Sequence, residues 1–278
     1  MNGEFESVPV TPFIGAEITG LDLSQPIPGP ALEKLRDTWH DRKALFFRNQ
    51  TLNPDEQVAF TRQFGDIDKY PFLVGVEQNP YVAPVLKEAH DKVNFGGVWH
   101  SDTTYLDMPA KGASLYAVEI PPIGGDTIFV DMEQAYEHLS EGLKSMLSQM
   151  RAVNTSEKAD VSKTREDRLA DHGDGSTPKS FANSHPVVRT HPETGRKCLY
   201  INEGHTSHFE GWTEEESTPL LEYLYQHQRK AEFQCRLRWG QGTLALWDNR
   251  STHHYPINDY HGHRRLMHRV SLKGCVPM

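Results

Sequence analysis

Trp99-His100-Ser101-Asp102 has to be read with two distant stretches, Trp247-Asp248-Asn249-Arg250-Ser251-Thr252-His253-His254-Tyr255 and Arg264-Arg265-Leu266-Met267-His268-Arg269. Side chains two apart on an extended strand point the same way, so His100 and Asp102 can grip one metal ion from one direction. One further histidine completes two imidazoles and one carboxylate. That facial set, with its other positions open, is how non-haem Fe(II) oxygenases hold iron. The arginines that follow imply a second, anionic participant.

Each piece alone is weak. Any strand can carry His-x-Asp by chance, and a lone His254 says as little. If this stretch is extended, His253 and His254 face opposite ways, so only one of them is the ligand, and spacing does not say which. His261, His263 and His268 are further candidates. On a strand, Arg265, Met267 and Arg269 share a face. Two cations pointing into a core are costly without anions. An inward face therefore calls for bound carboxylate or sulfonate, and an outward face only for solvent. The joint occurrence of these pieces in this order is the strong signal.

The surrounding sequence supplies many short strands. Alternation and apolar runs mark strands within 15–23, 44–48, 113–120, 127–130, 185–189, 198–202, 233–237, 243–247 and 266–272. Helices are expected over 30–39, after the Asn53 cap with Pro54 in its first turn, as one amphipathic stretch over 132–150, and from the Thr213 cap to about 231. Residues 66–98 read as loop. The polar stretch 154–184 is long for a structureless loop, which points to a lid or insertion. With no repeats and no linker, the expectation is one domain over 1–278. It is mainly β with flanking helices, a barrel or jelly roll with helices packed outside.

The formal charge of −9 argues against a nucleic-acid surface. No stretch approaches the roughly 18 apolar residues of a membrane span, and the acidic N-terminus lacks the features of a secretory signal. Three widely spaced cysteines form no zinc or redox pattern and suggest a reducing, cytoplasmic setting. With 15 histidines in the chain, a metal claim must rest on spacing rather than abundance.

Taken in order, Gly15 to Leu23, Ala44 to Asn49, Trp99-His100-Ser101-Asp102, Gly124-Gly125-Asp126-Thr127, His185-Pro186-Val187-Val188-Arg189-Thr190-His191-Pro192-Glu193-Thr194-Gly195, Trp247 to Arg250 with His254-Tyr255, and Arg264-Arg265 to Arg269 resemble the landmarks of the Fe(II)/2-oxoglutarate-dependent dioxygenases of the taurine dioxygenase (TauD/TfdA) family. The resemblance spans nearly the whole chain and implies a double-stranded β-helix core, a cupin-like jelly roll. It implies that His100, Asp102 and His254 ligate Fe(II), which selects His254 over His253. It places Arg265 and Thr127 on the distal carboxylate of 2-oxoglutarate and Arg269 on the substrate's own anion. Tyr70, His205 and Thr103 are the implied substrate contacts. Tyr70 stands where the taurine enzyme has a histidine, His205 where it has a phenylalanine, and Leu73 where it has a tyrosine, so the pocket departs from one made for taurine. The implied reaction consumes O2 and 2-oxoglutarate, hydroxylates a small anionic sulfonate, sulfate ester or carboxylate, and releases succinate and CO2. Membership also implies a homo-oligomer, a dimer or tetramer. A zinc-dependent hydrolase would suit the same three ligands without needing Arg265 or Thr127, and an inert jelly-roll binding protein would need none of them.

Overall fold

The computed structural model describes residues 3–70, 73–158 and 180–278. Ala44–Phe47 and Leu244–Asp248 are buried at every position. Strands buried on both faces must be covered on both, and these two lie at the middle of an eight-stranded sheet. Its spatial order is Glu6–Pro9, Ala16–Thr19, Ala44–Phe47, Leu244–Asp248, Gly112–Glu119, Arg265–Leu272 and Ile67–Asp68, with Ala83–Lys87 also paired to Arg265–Leu272.

The period of two sorts the side chains into two cores. Leu45, Phe47, Leu244 and Leu246 pack against Leu35 and Trp39 of helix Gly29–Arg42 and Phe60 of helix Pro54–Arg62. On the other face, Ala44, Phe46, Ala245, Trp247 and Met267 meet Phe129, Cys235 and Leu237. Those belong to a three-stranded sheet ordered Gln234–Leu237, Thr127–Asp131, Thr252–Pro256. Sheet on sheet with helices outside is the jelly roll expected. Behind the small sheet, Val130, Met132, Ala135, Ala152, Leu221 and Leu224 form a further core that includes helix Glu214–Gln228. No helix among the described residues is long and apolar enough to cross a membrane.

The cap signals hold. Asn53 and Glu56 form a capping box, as do Thr213 and Glu216. The helix expected over 132–150 is instead two, Met132–Glu137 and Glu141–Leu147. Ser140 interrupts it by accepting the Leu143 N–H on its hydroxyl, a local bond that competes with continuous helix. The periodicity ran through the break because Ala135, Leu139 and Leu147 enter the same core. The supposed loop 66–98 contains strand Ala83–Lys87, disguised by Pro84, which an edge strand tolerates. Strand Thr206–Phe209 was also missed. The two ends of the 154–184 stretch enter the paired strands Arg151–Thr155 and Ala182–Pro186, and its 159–179 portion lies outside the described residues.

Candidate metal centre and cosubstrate pocket

His254 sits on strand Thr252–Pro256, and His100 is bridged to it by reciprocal backbone hydrogen bonds of 2.9 and 3.1 Å. The strand expected to carry His-x-Asp is absent. His100 is an isolated bridge, the chain turns over 102–105, and Thr103 adopts a φ of 55°. The turn, not strand alternation, brings Asp102 back. Its Oδ1 lies 3.6 Å from His100 Nε2 and 3.9 Å from His254 Nε2. The ligating atoms of these three buried residues all lie within 4.8 Å of one another. His253 takes no part. It is buried, neither ring nitrogen has a hydrogen-bond partner, and burial followed by the nearby His100 pushes it down to about 3.

Backbone and neighbouring side chains aim the trio. His100 Nδ1 lies 2.7 Å from the Val98 carbonyl, which can only accept, so Nδ1 donates and Nε2 is the nitrogen turned toward Asp102. Gly96 packs beneath that ring with a φ of 71°, and a Cβ there would sit 2.9 Å from His100 Cε1.

Asn249 was not singled out in the sequence, yet it holds the turn. Its Oδ1 accepts the Asp102 N–H at 2.7 Å, and its Nδ2 donates to the carbonyls of Asp102 at 3.0 Å and Ala110 at 2.9 Å. The Ser101 hydroxyl donates to the Asn249 carbonyl at 2.6 Å. Asn249 is itself fixed between Asp248 and Arg250, whose side chains pair through bonds of 2.8 and 2.5 Å. The only signal for it was its place in the quoted Trp-Asp-Asn-Arg run.

A cavity of about 470 Å³, counting its open mouth, adjoins the trio and is lined by Val85, Phe95, Thr127, Arg265 and Arg269 among others. On strand Arg265–Leu272 the residues Arg265, Met267 and Arg269 are buried while Leu266 and His268 are only partly so. The arginines therefore face inward, the costly alternative. Arg269 Nη1 donates to Asp102 Oδ1 at 3.0 Å, and its Nη2 lies 2.9 Å from Oδ2 without hydrogen-bond alignment. Burial alone would raise the Asp102 carboxyl, but Arg269, then His254 and His100, hold it well below the usual carboxylate range. Burial pushes His254 well below the ordinary imidazole range, with His100 adding to the effect.

Away from the trio, Arg265 lies 5.8 Å from the Trp239 ring and 5.9 Å from that of Tyr260, and its Nε is buried without a hydrogen-bond partner. The Thr127 hydroxyl accepts from Trp239 Nε1 at 3.0 Å, which leaves its own proton for an acceptor in the cavity. None of the three implied substrate contacts lines this cavity. The Tyr70 ring lies 4.7 Å from the Arg269 guanidinium. His205 does not line this cavity; it stands edge-on to Tyr105 at 4.8 Å with Nδ1 unpartnered, and burial, then His100, pushes it down to about 3. Thr103 also lies outside the lining, and its hydroxyl closes the turn by accepting the Ala110 N–H at 3.0 Å.

Comparison with known proteins gives the same picture. The chain is 33% identical over 275 residues to an alkylsulfatase of Acinetobacter baylyi, covering 96% of this chain and 84% of that protein. It is 32% identical over 285 residues to the alpha-ketoglutarate-dependent 2,4-dichlorophenoxyacetate dioxygenase of Cupriavidus pinatubonensis, covering 96% and 98%. The crystal structure of a taurine dioxygenase from Burkholderia xenovorans matches with a TM-score of 0.82 at 31% identity, covering 99% of this chain and 91% of that one. The family described as taurine catabolism dioxygenase TauD, TfdA family matches residues 6–271, and this chain belongs to it.

Proposed function

We propose that this protein is an Fe(II)- and 2-oxoglutarate-dependent dioxygenase that hydroxylates a small anionic organic substrate. The observation that carries the reading is one strand aiming two buried arginines into one cavity, with the His100, Asp102 and His254 ligand atoms beside it. The donor set suits the metal, since two imidazoles and one carboxylate leave positions open. The orphaned Arg265 Nε suits an incoming carboxylate. Bound together, iron, 2-oxoglutarate and O2 supply the oxidant for an unactivated C–H bond, with succinate and CO2 as coproducts.

The protein's own residues bind, orient and exclude water. His100, Asp102 and His254 hold the metal. Arg265 takes the distal carboxylate, and the Thr127 hydroxyl donates a second hydrogen bond to it, fixing the cosubstrate's direction in the cavity. Arg269 already touches Asp102, so its guanidinium couples a metal ligand to whatever anion arrives at that end. Tyr70 backs the Arg269 guanidinium. Phe95 and Leu115 offer apolar wall to the substrate's carbon skeleton. Alkyl sulfates, 2,4-dichlorophenoxyacetate and taurine, the compounds in the relatives' names, all carry an anion. That supports a sulfate ester, sulfonate or carboxylate here. The unpaired cysteines Cys198, Cys235 and Cys275 support a reducing, cytoplasmic setting.

The test is succinate formation from 2-oxoglutarate under air with added Fe(II), screened over alkyl sulfates, sulfonates and aryloxyalkanoates. One class is expected to stimulate turnover, and Arg265→Ala is expected to abolish it. A protein that neither binds 2-oxoglutarate nor forms succinate with any of them sinks the reading.

A further inference from the structure

We propose that Lys87 is a second cation for the cosubstrate's distal carboxylate, acting beside Arg265 to select a dianionic 2-oxo acid. This rests on the function proposed above. Lys87 ends strand Ala83–Lys87 and pairs directly opposite Arg265 in the antiparallel ladder, with Val85 opposite Met267 and Ala83 opposite Arg269. Directly opposed residues project to the same face. The ladder therefore presents three rungs inward. Arg269 is at the metal end, Met267 with the cavity-lining Val85 is in the middle, and Arg265 with Lys87 is at the far end.

Lys87 is only 3% exposed and its Nζ has no hydrogen-bond partner. What it has is the Tyr260 ring, 4.4 Å away, which also flanks Arg265. The acids nearby are engaged elsewhere. Asp126 accepts from Arg236 at 2.7 Å, Asp259 from the Gly125 N–H at 2.7 Å, and Asp91 from the Glu88 N–H at 2.8 Å. Glu88 pairs with Arg264 at 3.3 Å.

Two buried cations thus stand at one end of the ladder, neither in an ion pair with a carboxylate of the protein, although the Tyr260 hydroxyl bonds Arg265 and Asp126 acts on it from farther off. Cation–π contact recovers only part of an ammonium's hydration, so a pair with no direct carboxylate partner favours an anion arriving from outside. If packing were the whole role, methionine would fill the space without the charge. Lys87 does not itself line the cavity. It acts through its field across Tyr260 and Arg265, as a positioning residue that raises affinity for the second carboxylate rather than the rate of the chemical step.

The test compares Lys87→Met with the parent protein loaded with Mn(II). It measures dissociation constants for 2-oxoglutarate and for 2-oxopentanoate, which lacks the distal carboxylate, and then KM and kcat with Fe(II). The expected result is 2-oxoglutarate binding weakened about tenfold with 2-oxopentanoate unchanged, KM raised to match, kcat at saturation unaltered, and the loss rescued by Lys87→Arg. Unchanged 2-oxoglutarate affinity overturns the proposal. So does equal weakening of both ligands, which marks general damage to packing. If the parent itself does not bind 2-oxoglutarate and Arg265→Met alters nothing, the functional reading falls and this inference with it.

Discussion

Two clusters of buried charge meet at Asn249, and they are built differently. On one side Asp248 accepts from Arg250 through both carboxylate oxygens, and its Oδ2 lies 3.0 Å from His191 Nε2. Glu193 and Lys111 extend the set with a 2.9 Å pair, and Glu193 also meets Arg250. No side-chain nitrogen or oxygen of Asp248, Arg250 or His191 is left without a partner. On the other side, His254 Nδ1, Arg265 Nε, Lys87 Nζ and Asp102 Oδ2 are buried without hydrogen bonds. Buried polar groups are ordinarily satisfied, so a cluster of exceptions calls for an explanation. The satisfied cluster is scaffold. On the function proposed above, the unsatisfied one surrounds the place where a metal and an anion would bind.

The sharpest way to break this contrast is to truncate one member on each side. Asp248→Ala removes both of the buried Arg250's bonds to Asp248 and leaves it only the partly exposed Glu193, and is expected to cost about 3–5 kcal/mol in urea unfolding. Arg265→Met removes a cation that is in no ion pair with a carboxylate and is expected to change stability by less than about 1 kcal/mol in either direction. Equal losses in the two variants would erase the distinction.

A smaller effect is expected at the junction. Asn249→Ala frees the backbone of Asp102 while leaving every ligand atom present. Second-layer contacts of this kind are expected to be worth about 10–100-fold in metal affinity, which Mn(II) titration reads directly. Asn249→Asp, which cannot donate to the Asp102 and Ala110 carbonyls, should not rescue it. Full affinity in either variant would detach the scaffold from the site.

The smallest effect concerns pH. His205 is pushed down to about 3, mainly by burial, against an unfolded value of roughly 6.5. As pH falls below the unfolded value, the unfolded chain takes up the proton first. Stability is therefore lost downward from there at up to about 1.4 kcal/mol per pH unit, until the folded value is reached. His205→Phe should flatten that part of the profile, read from unfolding midpoints at pH 7 and pH 5. An unchanged slope would mean that His205 is not held neutral by burial.

Much of this was legible along the chain. Local signals were reliable where a single local contact settles the matter, as at the Asn53 and Thr213 caps, because capping involves atoms three residues apart. They failed where one signal masked another. The apolar periodicity of 132–150 hid the local cap at Ser140, and Pro84 hid a strand whose existence depends on pairing with Arg265–Leu272. The trio itself was named, but the mechanism offered for it, alternation on a strand, was not the one the chain uses.

Residue order was enough for the jelly-roll class, the three candidate ligands and the two arginines, because those depend on residue type, spacing and family likeness. Space was needed to turn Asp102 back toward His254, to reveal Asn249 as the clamp, and to put Lys87 opposite Arg265. Each of these is a contact between segments many residues apart. Strand register and burial create such contacts, and neither is written in any one segment.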